Sequence, residues 1–208
     1  MAHPQTLGVV LAGGRARRMG GGDKARIPIG GTSILERVLA RLHAQCSGII
    51  LSANADPARF ADLGVPVVAD SVPDQAGPLA GILAGLDWTA SHAPWIEWIL
   101  SAPIDCPFLP RDLVARLHQA RADAGAQLAC TRSGERTHPV VALWPVNLRE
   151  DLRRALTVEA VRKVDEWTAR YAIGIAEWPA VPVDPFFNVN TPEQAAAAER
   201  MAVEHPEI

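Results

Sequence analysis

The chain predicts an α/β fold: a three-layer sandwich around a mainly parallel, mixed central sheet. Short apolar, β-favouring runs alternate with segments of helical periodicity through the first two-thirds of the sequence, the pattern of β-α-β units with right-handed crossovers. Acidic residues and glycine or proline turns follow the predicted strands directly, where open α/β sheets bind ligands. The 208 residues, 49% hydrophobic and 21% charged, have the size and composition of one compact domain spanning 1–208.

The first strand is the run Leu7, Val9, Val10 and Leu11, and glycines follow it at Gly13, Gly14, Gly20, Gly21 and Gly22. Glycine lets the backbone turn and approach a ligand closely. Arg15, Arg17, Arg18, Lys24 and Arg26 add positive charge, so the stretch has the character of a phosphate-binding loop. It is not a P-loop, because Ala25 stands after Lys24 where that motif needs Ser or Thr. Gly20 to Ala25 satisfies a dinucleotide fingerprint on paper, but the extended, proline-broken residues 26–29 follow in place of a helix.

Gly30 and Gly31 predict a turn, and Ser33 with Glu36 has capping-box spacing. Ile34, Leu35, Val38, Leu39, Leu42 and Cys46 then recur at helical intervals. Residues 48–52 form the next strand, with a short helix at 57–62 and a strand at 65–69. Asp70 ends that strand and precedes a turn-rich stretch. A helix over 78–91, a strand over 95–101 and a helix after Pro110 surround Asp105, which lies between Pro103 and Pro107.

Later alternation is looser. Strands are predicted at 127–131, 138–143 and 172–175, and helical segments between 146 and 167. Thr191, Pro192 and Gln194 have the spacing of N-cap, first position and capping-box partner for a final helix.

The net charge of -3 argues against a nucleic-acid-binding surface. Cys46, Cys106 and Cys130 show neither disulfide nor zinc spacing and read as reduced structural thiols. No signal-peptide pattern or membrane-length apolar run is present, which makes the expected address cytoplasmic.

Each candidate has a plainer reading. Glycine clusters often serve turns only, but the interleaved cations favour phosphate binding here. Asp105 sits in a proline-stiffened loop suited to a magnesium ligand. Asp70 is either a loop cap or a nucleotide contact. Gly77, Pro78 and Gly81 start a helix whose N-terminus suits an anion. His138 by itself reads as structural, and Asn188 and Asn190 as turn formers. The other histidines lack ligand spacing, and the six tryptophans read as packing residues.

Leu-Ala-Gly-Gly-x-x-x-Arg-Met-Gly-x-x-Asp-Lys, residues 11–24, resembles the signature of nucleotidyltransferases of the sugar-nucleotide transferase superfamily, with their Rossmann-like fold. Together with Ala53-Asn54, Asp70-Ser71, Gly77 to Gly81, Asp105-Cys106-Pro107, His138-Pro139 and Asn188 to Glu193, the chain resembles the molybdenum cofactor guanylyltransferases over nearly its whole length. The resemblance implies transfer of GMP from GTP to molybdenum-bearing molybdopterin with Mg2+. It places Leu11, Ala12, Gly13, Gly14, Arg15, Lys24, Ser52, Asp70 and Asp105 on GTP, and makes Asp105 the metal ligand. The family often has Asn where this chain has Ser52. Lys24 and Arg18 would neutralise the triphosphate, while His138, Asn188 and Asn190 match the pterin side, in the C-terminal part of the domain. Expected partners are the two substrates and, transiently, molybdoenzymes or their chaperones, with no nucleic acid and no membrane. The rivals are a cytidylyltransferase or sugar-phosphate nucleotidyltransferase, against which Gly13 leaves room for the larger base, and a non-enzymatic adaptor that hands on cofactor.

Overall fold

Strand β1 (Thr6–Leu11) is buried along its whole length, because both of its faces are covered. The computed structural model describes residues 3–12, 24–54, 56–72 and 77–207. Leu7, Val9 and Leu11 point into one apolar cluster and Val10 into another on the opposite face, as the two-residue period of a strand dictates.

After β1 the described chain resumes at a 3-10 turn (Lys24–Arg26). A tight hairpin follows, β2 (Pro28–Ile29) against β3 (Thr32–Ser33). Gly30 at φ 59 and Gly31 at φ 83 supply the left-handed pair that a two-residue hairpin turn demands. The Ser33–Glu36 capping box predicted from sequence is present and opens α1 (Ile34–His43), whose Ile34, Leu35, Val38, Leu39 and Leu42 are buried.

Next come β4 (Gly48–Ser52), a 3-10 helix (Pro57–Leu63) where a short helix was expected, and a two-residue β5 (Val67–Val68). Helix α2 (Pro78–His92) crosses to β6 (Trp98–Pro103), which begins later than expected because the segment after Pro94 turns before it pairs. Then follow α3 (Leu113–Asp123), β7 (Leu128–Ser133), β8 (Arg136–Pro145), α4 (Arg149–Thr157), α5 (Val164–Thr168), β9 (Ile173–Trp178) and α6 (Pro192–Glu204).

Among the described residues the main sheet runs β5-β4-β1-β6-β8-β7-β9. Pairing is parallel for β5 with β4, β4 with β1, β1 with β6 and β7 with β9, and antiparallel where β8 lies between β6 and β7. One apolar layer carries Leu35, Leu39, Leu113 and Leu117 of α1 and α3. The other carries Leu79, Leu83, Leu152 and Trp167 of α2, α4 and α5. These are the three layers that the alternation predicts.

Two glycines set the depth of α2. A Cβ on Gly85 would stand 2.6 Å from Val9 Cγ2, and one on Gly81 would stand 2.8 Å from both Leu11 Cδ2 and Ser52 Oγ. The helix therefore rests directly on the ends of β1 and β4. The Gly77 to Gly81 stretch is thus a packing device as well as a helix start.

Candidate active site

The chain leaves β1 toward β4 and β5 on one side, then returns to place β6 on the other side of β1. Such a reversal opens a crevice at the carboxyl ends of the strands, because the connections diverge there. Ile104 continues the ladder by donating its N–H to Leu11 O at 3.1 Å, which brings the loop after β6 beside the end of β1. Asp105 is the next residue.

Three segments far apart in sequence meet at this point. Lys24 Nζ donates to Asp105 Oδ2 at 2.8 Å and to Asn190 Oδ1 at 2.6 Å. The lysine and aspartate side chains are only 17% and 15% exposed, so this ion pair is largely shielded from solvent and less screened than a surface pair. The backbone fastens the segments too, since Val189 N–H donates to Asp105 O at 2.9 Å. Next to Asp105, burial and then the aspartate's own charge push the Cys106 thiol well above its ordinary pKa. It stays a thiol and donates to Asn188 Oδ1 at 3.4 Å.

The lysine's turn is anchored from outside the cluster. Arg26 forms a two-pronged pair with Asp62, at 2.8 and 2.6 Å, and also donates to Arg59 O. Sequence reading counted Arg26 among the cations of an anion site. In the structure its guanidinium pairs with a carboxylate on the 3-10 helix.

Asp70 lies after β5, clipped to the loop after β4. Its N–H donates to Asn54 Oδ1 at 2.9 Å, and Asn54 Nδ2 donates to Asp70 Oδ2 at 2.7 Å. Ser52 is 3% exposed, under the N-terminal turn of α2, and its carbonyl accepts from the Ala12 N–H at 2.9 Å. Leu11 is buried and Ala12 half-buried at the end of β1. Gly13, Gly14, Arg15 and Arg18 lie outside the described residues.

His138 is 9% exposed on β8, with Nε2 2.8 Å from Ser133 Oγ. Burial holds its imidazole below the usual pKa. Its ring packs on Phe186, 4.8 Å between centroids, and Cys106 Sγ lies 4.0 Å from the Phe186 carbonyl, so Phe186 links His138 to the Asp105 loop. At the last helix, Thr191 caps α6 as expected. Gln194 does not return its side chain to the cap residue; its Oε1 accepts from the Asn190 N–H at 2.7 Å and steadies the residue that holds Lys24.

Among the described residues no three His, Cys, Asp or Glu side chains converge as a ready-made metal cage. Magnesium normally takes one or two carboxylates and completes its shell with water and substrate phosphates. Asp105, with one oxygen on Lys24 and the other, among the described residues, facing only a thiol at 3.9 Å, fits a cation that arrives with phosphates.

A mixed, mainly parallel sheet with a lysine–aspartate pair at the carboxyl ends of its strands is the framework of a nucleotidyltransferase. The chain belongs to the family described as the MobA-like NTP transferase domain, which matches residues 8–172. It is 64% identical over 199 residues to the molybdenum cofactor guanylyltransferase of Nitrobacter hamburgensis, covering 96% of this chain and 95% of that one. Molybdopterin-guanine dinucleotide biosynthesis protein A from Archaeoglobus fulgidus shares the fold with TM-score 0.72 at 23% identity, over 96% of this chain and 100% of that one. Rv0371c from Mycobacterium tuberculosis, solved in complex with manganese, does so with TM-score 0.65 at 18% identity, over 95% and 99%. Among the described residues no helix is long and apolar enough to cross a membrane.

Proposed function

We propose that this protein transfers GMP from GTP to the terminal phosphate of molybdenum-bearing molybdopterin, giving the guanine dinucleotide and pyrophosphate. The observation that carries this reading is the meeting of Lys24, Asp105 and Asn190 in a chain that matches a molybdenum cofactor guanylyltransferase almost end to end. In the reaction an oxygen of the pterin phosphate bonds to the α-phosphorus of GTP as the α–β bridge breaks, and the electron pair leaves on pyrophosphate. A phosphate monoester is already largely ionised near neutral pH, so the nucleophile needs little or no general base. The obstacle is repulsion between polyanions, and the protein's part is charge and alignment.

Lys24 and Arg18 would neutralise the triphosphate while the glycine loop holds it in line. Leu11, Ala12, Gly13, Gly14 and Arg15 would bound the nucleotide at the end of β1, with Asp70, set by Asn54, as a further contact. Ser52 acts from beneath, through its carbonyl on Ala12. Asp105 would hold a divalent ion, which the manganese complex of the structural neighbour supports, and we read that ion as Mg2+. When bound, that ion supplies Lewis-acid stabilisation of charge on the phosphates and the leaving pyrophosphate. His138, Asn188 and Asn190 would belong to the pterin side of one domain spanning 1–208. The reaction would take place in the cytoplasm, with the product passed by transient contact to molybdoenzymes or their chaperones.

The test is pyrophosphate release with Mo-molybdopterin and either GTP or CTP, with the product identified by mass. GTP-dependent release with a guanine dinucleotide product is expected. A preference for CTP would assign the chain to the cytidylyl rival, and absence of release with both nucleotides would leave the adaptor reading.

A further inference from the structure

The proposed roles of Lys24 and Asp105 serve two different charges, phosphate and metal, yet here each is engaged with the other. The ammonium lies 2.8 Å from Asp105 Oδ2 and 2.6 Å from Asn190 Oδ1, so two of its three donors are directed at this cluster. Asn190 is itself fixed. Its N–H is bonded to Gln194 in the first turn of α6, and the neighbouring Val189 N–H is bonded to the Asp105 carbonyl. The Asn190 backbone is thereby held at the start of α6, and its side-chain amide oxygen accepts from the lysine.

A metal approaching the Asp105 carboxylate in this state meets a cation already seated on one of its oxygens. With the pair 17% and 15% exposed, solvent screens the resulting repulsion only partly. A triphosphate offers the ammonium a stronger anionic partner and offers the metal further oxygens. Nucleotide binding would thus free the carboxylate at the moment a cation bound to phosphate needs it.

We propose that Asn190 is a positioning residue for Lys24, and that the Lys24–Asp105 pair it steadies withholds the carboxylate from free divalent cation until a nucleoside triphosphate draws the lysine away. Metal and nucleotide then enter together. Because coupling is reciprocal, nucleotide raises metal affinity at Asp105 as much as metal raises nucleotide affinity there. The inference rests on the proposed role of Asp105, but it does not depend on which base or acceptor the enzyme uses.

The test uses the full chain, free of nucleotide, with Mn2+ as the probe and loss of its free-ion electron paramagnetic resonance signal as the readout. Lys24→Met is expected to bind Mn2+ about tenfold or more tightly than the unaltered protein, since a unit charge leaves a weakly screened site. Asn190→Ala should show a smaller gain of the same sign, and the double variant Lys24→Met/Asp105→Asn should lose the gain. Unchanged or weaker Mn2+ binding in Lys24→Met overturns the proposal, as does a gain that survives Asp105→Asn. An Asn190→Ala affinity equal to that of the unaltered protein overturns the part assigned to Asn190. Turnover with GTP, measured on the unaltered protein, reports separately on the proposed reaction.

Discussion

Lys24 is bonded to residues 81 and 166 positions away, and no spacing rule links them. The sequence marked Lys24 by its glycine-rich surroundings and Asp105 by its prolines, each on local grounds. Asn190 carried the plainer reading of a turn former, because an Asn before a helix start has that use far more often. Asn54 was part of the family pattern without a role until its reciprocal bonds to Asp70 gave it one. The Arg26–Asp62 pair was not legible for the converse reason: a run of cations suggests one purpose, while a side chain also takes an anion that the fold brings near. The residue with the most direct test is Asp105. Asp105→Asn keeps the shape and removes the charge, so turnover in saturating metal and GTP should fall about a hundredfold or more. Its melting temperature should stay within a few degrees of the unaltered protein; activity close to normal would remove the metal role.

At the scale of elements, capping, turn and periodicity signals were legible because they act within a few residues. The Ser33–Glu36 box and the Gly30–Gly31 turn are where the residues say they should be, and the structure makes that turn a hairpin. Gln194 shows the limit of such rules, since the predicted return bond goes one residue further back, to Asn190. The glycines of α2 were visible as residues but not as spacers. Gly85→Ala would drive a methyl against the branched, fully buried Val9, so it should destabilise by about 1–3 kcal/mol in denaturant unfolding. Gly81→Ala meets the movable ends of Leu11 and Ser52 and should cost less. Equal stability of Gly85→Ala and the unaltered protein would show that α2 can retreat from the sheet.

At the scale of the whole molecule, buried titratable groups tie stability to pH. Thr6 Oγ1 donates to Pro4 O, so it accepts from His118 Nε2–H at 2.8 Å, and His118 Nδ1 has no hydrogen-bond partner among the described residues. Burial, then His3 stacked on the ring and nearby Arg121, lower the His118 pKa from 6.5 to about 4. The unfolded chain therefore binds this proton more readily than the native one between those values, and stability falls as pH drops through that window. From the shift from 6.5 to about 4, His118 contributes about 2–3 kcal/mol to the difference between pH 7 and pH 4.5. His138, also lowered, adds with the same sign. Unfolding of His118→Gln at the two pH values should show a correspondingly smaller loss than the unaltered protein, and an equal loss would mean that His118 is protonated in the native state. By itself the sequence determined the α/β class, the order of most elements and the local origin of Lys24, Asp70 and Asp105, because propensity, periodicity and turn chemistry are short-range. Only the tertiary structure decided that β8 enters the sheet antiparallel, that Arg26 serves Asp62, and that Asn190 closes on Lys24 across the crevice. Those outcomes depend on which strands neighbour one another and which charges meet when solvent is excluded, and these are properties of packing that no stretch of chain carries alone.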